Sequence, residues 1–186
     1  SSMYLSGRLA LKAYENLLHD QFQSIALVHD PYVELAERLL TLKHVTKFGD
    51  ELLGPRDTVA YRAAIEFAQH IEPDEQTLRR AFDIMPKEAI ALLANPLTRQ
   101  LAAESPEDPP PRGGVAKALS ALSYFTILGV RENPDLFLEE LEALLDIPRG
   151  TLPPPPSFSK RDALARELRA VPEVELLLEQ DLEVYH

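Results

Sequence analysis

The chain has 186 residues, is 45% hydrophobic, contains no cysteine and carries a formal charge of −11. That apolar share excludes a disordered chain, and the sign of the charge argues against a nucleic-acid backbone as partner. The missing cysteines exclude disulfides, thiolate zinc sites and a cysteine nucleophile, as in proteins of a reducing compartment, so a cytoplasmic location is expected.

The length suits one domain with its own core, or a core plus a small appendage. No apolar run reaches the ~18–20 residues of a membrane span, and no signal peptide opens the sequence. Ser1-Ser2-Met3 reads as a cloning remnant ahead of a trimmed chain. Residues 8–20 place Leu9, Ala13, Leu17 and Leu18 at helical spacing. Ser24 to Val28 is short and apolar, which suits a buried strand. Pro31 fits the first turn of the next helix, where its missing N–H costs nothing. That helix is expected to bury Val33, Leu35, Ala36, Leu39 and Leu40 and to turn Glu34, Glu37 and Arg38 to water.

Phe48-Gly49-Asp50 and Gly54-Pro55 break the chain before a helix expected from about Asp57 to Ile71. Asp74 caps a short helix ending near Phe82, and Pro86 opens another that stops near Ala94. Residues 104–114 hold four prolines, two glycines and three acids, the composition of an exposed loop. A helix from Val115 to Ser123 leads into a second strand at Phe125–Val130. Asn133-Pro134 supplies a cap followed by proline at the first helical position. The helix to Asp146 is expected to turn Leu136, Phe137, Leu141, Leu144 and Leu145 toward one face. Four prolines at 153–156 form a stiff spacer, Ser159 and Asp162 resemble a capping box, and helices run on to Tyr185. The expected organisation is a core at 1–148, a proline-rich spacer at 149–158 and a helical tail at 159–186 packing on that core. The expected fold is mainly α with two short parallel strands, because helical crossovers favour parallel pairing.

Three stretches and the chain's ending carry a resemblance. They are Ser24-Ile25-Ala26-Leu27-Val28-His29-Asp30-Pro31, then Asn95-Pro96-Leu97-Thr98-Arg99-Gln100-Leu101, then Leu128-Gly129-Val130-Arg131-Glu132, and last Leu178-Glu179-Gln180-Asp181-Leu182-Glu183-Val184-Tyr185. In this order they resemble the sulfotransferase family, above all its carbohydrate sulfotransferase branch, over about residues 20 to 185. The resemblance implies a partial or degenerate P-loop sulfotransferase-like α/β fold. It also implies transfer of a sulfuryl group from 3′-phosphoadenylyl sulfate (PAPS) to a hydroxyl or amine, with a carbohydrate as acceptor if the chain is an enzyme.

In the family an Arg-Asp-Pro ends the strand and its Arg contacts the nucleotide 3′-phosphate, with a Ser two helical turns later. His29 and Glu37 hold the matching positions for cofactor binding. Histidine is ordinarily neutral near pH 7 and a glutamate repels phosphate. The family's Gly/Ser-rich phosphate loop has no match, and Arg112-Gly113-Gly114 precedes a helix with no strand before it.

Asp30, Asn95, Arg99, Glu132 and Tyr185 therefore read as structural positions carried by the resemblance. Arg99 is expected to pair with a buried acid, Glu132 being the candidate. His29 reads either as a remnant of a ligand site or as a half-buried histidine capping nearby backbone. His44 and His70 lack a second ligand at metal spacing, so no metal is expected. The acids at 139, 140 and 142, and those at 173, 175, 179, 181 and 183, read as solvated helix faces. The function expected is a non-catalytic interaction or accessory module with a protein partner and no cofactor. The alternatives are the C-terminal part of an active PAPS-dependent enzyme and an unrelated helical interaction domain.

Overall fold

Ser24 and Thr126 lock the starts of two strands together in the computed structural model, which describes residues 11–14, 23–48, 55–105 and 108–186. Thr126 donates its backbone N–H to the Ser24 carbonyl at 2.8 Å, and the Ser24 hydroxyl reaches the Tyr124 carbonyl at 3.2 Å. From there β1 (Ile25–Val28) and β2 (Ile127–Val130) run parallel, with Ile25 opposite Ile127 and Val28 opposite Val130. The described chain between them is mostly helical, as is usual for a parallel crossover. The expected pair of short parallel strands in a mainly helical protein is thus present.

Two strands of four residues hold together in water only when both faces are packed. On one side Val28 joins Leu101, Ala118, Leu122 and Val184. On the other, Gly129 lies under Phe137, and a Cβ at Gly129 would come within 2.4 Å of that ring. Glycine is required there by close approach, not by backbone angle.

Asp30 and Pro31 start α1 (Pro31–Phe48). Its Leu35, Ala36 and Leu39 are fully buried, as their spacing predicts. Glu34, Glu37 and Arg38 do not face water as expected but are half-buried: Glu34 accepts from Arg38 at 2.7 Å, and Glu37 faces Arg161.

The helix expected over 57–71 divides into α2 (Pro55–Ala60) and α3 (Arg62–Gln69), because Tyr61 leaves the helical geometry at φ −91°, ψ 6°. Asp74 caps α4 (Glu75–Asp83) by accepting from the Thr77 N–H, and Pro86 precedes α5 (Lys87–Leu93). A helix that the sequence did not announce follows, α6 (Pro96–Ala102), and then α7 (Gly114–Leu122).

After β2, α8 (Asp135–Leu144) begins one residue later than its cap signal suggested. Asn133 makes no cap bond, because its backbone turns back to pair with Val130. The buried Glu142 carboxylate accepts from the Leu152 and Gly150 N–H groups at 2.7 and 2.8 Å, which holds it below the usual carboxylate range and fixes the turn ahead of the prolines.

The chain closes with α9 (Ser159–Leu168), α10 (Pro172–Leu177) and α11 (Glu179–Tyr185). The capping box expected at Ser159 does not form: Ser159 is already helical, and Asp162 instead pairs with Arg161 at 2.8 Å. α9 packs along α1. Leu164, Leu168, Val171, Val174 and Leu178 belong to the same buried cluster as Leu35, Leu39, Leu78 and Leu93. The one described piece of the helix expected over 8–20 is a 3-10 turn, Leu11–Tyr14; the rest lies outside the described residues, as does the break at 49–54.

Candidate functional site at the strand ends

The C-terminal ends of parallel strands are where open α/β sheets bind ligands, and the resemblance points to the same place. Asp30 closes β1. Its Oδ1 accepts from the N–H groups of Tyr32 at 2.9 Å and Val33 at 3.2 Å, so it is the N-cap of α1 with Pro31 at the first helical position. Its Oδ2 takes Arg169 of α9 at 2.8 Å. The Arg169 guanidinium also lies over the Tyr32 ring, 5.3 Å from its centre.

Glu132, just past β2, completes the arrangement. Its Oε1 accepts from the Asp30 N–H at 3.1 Å and its Oε2 from the Tyr185 hydroxyl at 3.1 Å. Burial first, and then the Glu132 charge, push the Tyr185 phenol up to about 12. Asp30, Glu132 and Tyr185 thus meet at one point.

His29 stands beside them. Arg131 Nη1 is 3.4 Å from its Nε2, within reach of donating to a neutral ring, while Arg131 Nη2 donates to the Pro156 carbonyl at 2.7 Å. The buried Nδ1 of His29 has no partner. Burial, and secondarily the Arg131 charge, lower the imidazole's proton affinity, against the opposing pull of Glu34, Glu37 and Glu132. The ring is therefore neutral at pH 7. Glu37 sits 3.6 Å from the Nη1 of buried Arg161, which is otherwise held by Asp162 and stacked 5.4 Å over Phe158.

These contacts decide what the strand ends can do. A phosphate would be drawn to the free N–H groups at the start of α1. Those of Tyr32 and Val33 already serve Asp30, and that of Asp30 serves Glu132. An incoming anion would have to displace two carboxylates that stand where its own charge would go.

Asn95 and Arg99 lie elsewhere, at a junction of helices. Asn95 is left-handed at φ 46°, ψ 56°. Its Oδ1 accepts from the N–H groups of Gln180 at 2.9 Å and Asp181 at 3.2 Å. In return, the Asp181 carboxylate accepts from Leu97 at 2.8 Å and Thr98 at 2.7 Å. Two helix starts, α6 and α11, cap each other across the core.

Asp181 is fully buried, not solvated as its acidic neighbours suggested. Burial pushes its carboxyl up, and the four-centre exchange of N–H groups from Thr98 and Leu97 pulls it back. Arg99 does not pair with Glu132. It donates to the carbonyls of Leu92 at 2.9 Å, Ala94 at 3.2 Å and Ala91, covering the end of α5. The last turn of a helix offers unpaired carbonyls that a guanidinium fork can satisfy without a counter-charge.

The residues that sequence reasoning missed are Arg131, Arg161, Arg169 and the buried state of Asp181. Arg131 and Asp181 stand in stretches that carry the resemblance, whereas Arg161 and Arg169 act from a helix far along the chain. Among the described residues no group of three or more histidine, aspartate and glutamate side chains is placed to hold a metal ion, and no helix is long and apolar enough to cross a membrane. No family model, curated protein or solved structure matches the chain.

Proposed function

We propose that the chain is a degenerate, P-loop sulfotransferase-like α/β module that serves as a non-catalytic interaction or accessory domain. The observation that carries this reading is the internal use of the strand-end backbone donors and of Arg169: the α1 N–H groups by Asp30, the Asp30 N–H by Glu132, and Arg169 by Asp30. Sulfuryl transfer needs preorganised positive charge facing the moving group, and here neutral His29 and anionic Glu37 occupy the positions that the family uses for the 3′-phosphate. The absence of cysteine and of a membrane-crossing helix among the described residues supports a cytoplasmic setting.

Calorimetric titration with 3′-phosphoadenosine 5′-phosphate tests it. The expected result is no saturable heat at micromolar nucleotide. Micromolar binding would overturn the reading and favour the C-terminal part of a working PAPS-dependent enzyme.

A further inference from the structure

Helix α8 carries more apolar surface than the fold uses. Its inward face is Phe137 on Gly129, half-buried Leu138 and Leu141, and Glu142 on the turn at 150–152. Its outward face carries Leu136, 66% exposed, and at its edge Leu144, 38% exposed; Leu145, just past the helix end and half a turn round from Leu136, is 53% exposed. One exposed leucine needs no explanation, but a stripe of them on a single short helix does. At 3.6 residues per turn, Leu136, Glu140, Ala143 and Leu144 share one face of about 100° of arc, and the eight-residue step from Leu136 to Leu144 spans ~12 Å.

Apart from Arg149, which Glu139 takes, the charge around this stripe is acidic. Asp135, Glu140 and Asp146 are exposed and form no ion pair among the described residues, and the helix contains no lysine or arginine. Glu139, next to the stripe, is already taken by Arg149. Glu140 sits between the two leucines, so whatever covers them must bring a cation to the middle of the contact or leave a carboxylate desolvated and unpaired. A second copy of this chain is a poor fit, since two acidic stripes would face each other in a protein of net charge −11.

We propose that the outer face of α8 docks a basic amphipathic helix of a partner protein. Apolar side chains of that helix cover Leu136 and Leu144, and a lysine or arginine between them meets Glu140. This deepens the interaction-module reading by giving the partner its chemistry. It stands or falls on a different surface from the strand ends, so failure here and failure of the nucleotide titration are distinguishable.

The probe is a fluorescent helical peptide of leucine and lysine in amphipathic pattern, followed by anisotropy with the full chain, beside a leucine–glutamate peptide of the same pattern. The expected result is saturable binding of the lysine peptide alone. That binding weakens about tenfold in the double variant Leu136→Ser, Leu144→Ser and again in Glu140→Lys. Leu176→Ser, at a leucine of α10 that is 72% exposed, serves as the comparison and is expected to bind as the parent does. All of these positions are at the surface, so circular dichroism melts are expected to match the parent. Equal binding by the stripe variants and the parent would overturn the proposal. So would a dimer in sedimentation that the double leucine variant dissociates, because the occupant would then be a second copy.

Discussion

The strand ends and the α6–α11 junction are both built from polar groups at helix starts, yet they differ in what surrounds them. At the junction, Asn95 and Asp181 are buried and each satisfies two N–H groups of the other's helix. At the strand ends Glu132 and Arg169 are exposed and Asp30 is partly so, although the buried Nδ1 of His29 is left without a partner. A buried polar group is costly to leave unsatisfied, whereas an exposed one falls back on solvent. The junction therefore sets the geometry of the helices, and the strand ends could change residues, as an eroding ligand site does, with little loss of fold.

Truncating one member of each region puts numbers on this difference. Asp181→Ala strands the Leu97 and Thr98 N–H groups in the core, with an expected loss of about 3 kcal/mol in the urea denaturation free energy. A loss under about 1 kcal/mol would mean that the junction is not what fixes α6 against α11. Arg169→Ala, at the strand ends, removes an exposed ion pair while Asp30 keeps its cap on α1. The expected change is about 0.5 kcal/mol in the same measurement. If the two losses were equal, the contrast between the regions would be gone.

The sequence and the structure agree where the signal is local. Short apolar runs bounded by polar residues marked both strands, Asp74 marked the start of α4, and the stretch around Pro31 marked the start of α1. The failures are tertiary. Asn133-Pro134 marks α8 to within one residue, whereas α6, which opens at Pro96 after Asn95, is held by an exchange of caps with a distant helix that no local pattern announces. Asp181 lies 86 residues from Asn95, and nothing in its acidic surroundings separates the one buried carboxylate from its solvated neighbours. Arg99 needed a partner and found carbonyls, which every helix end offers and no sequence pattern labels. The leucines of α8 have helical spacing on both faces, and periodicity cannot say whether anything covers the second. Of the candidate site, the positions of His29, Asp30 and Glu132 were legible from the resembling stretches, but not the arginines that close it.

His29 offers the most direct view of the closed strand end. Its proton affinity is lowered in the folded chain, so it binds fewer protons there than in the unfolded chain at pH values just below the ordinary 6.5. Its contribution to stability is complete above 6.5 and is lost as pH falls through that value toward the folded-state one. The measurement is an NMR titration of the His29 ring in the isotope-labelled chain, with and without millimolar 3′-phosphoadenosine 5′-phosphate. The account predicts a midpoint below 6.5 that the nucleotide does not move. A midpoint at or above 6.5 would contradict the burial of the ring, and one that rises when the nucleotide is added would show that an anion reaches the imidazole and would contradict the account.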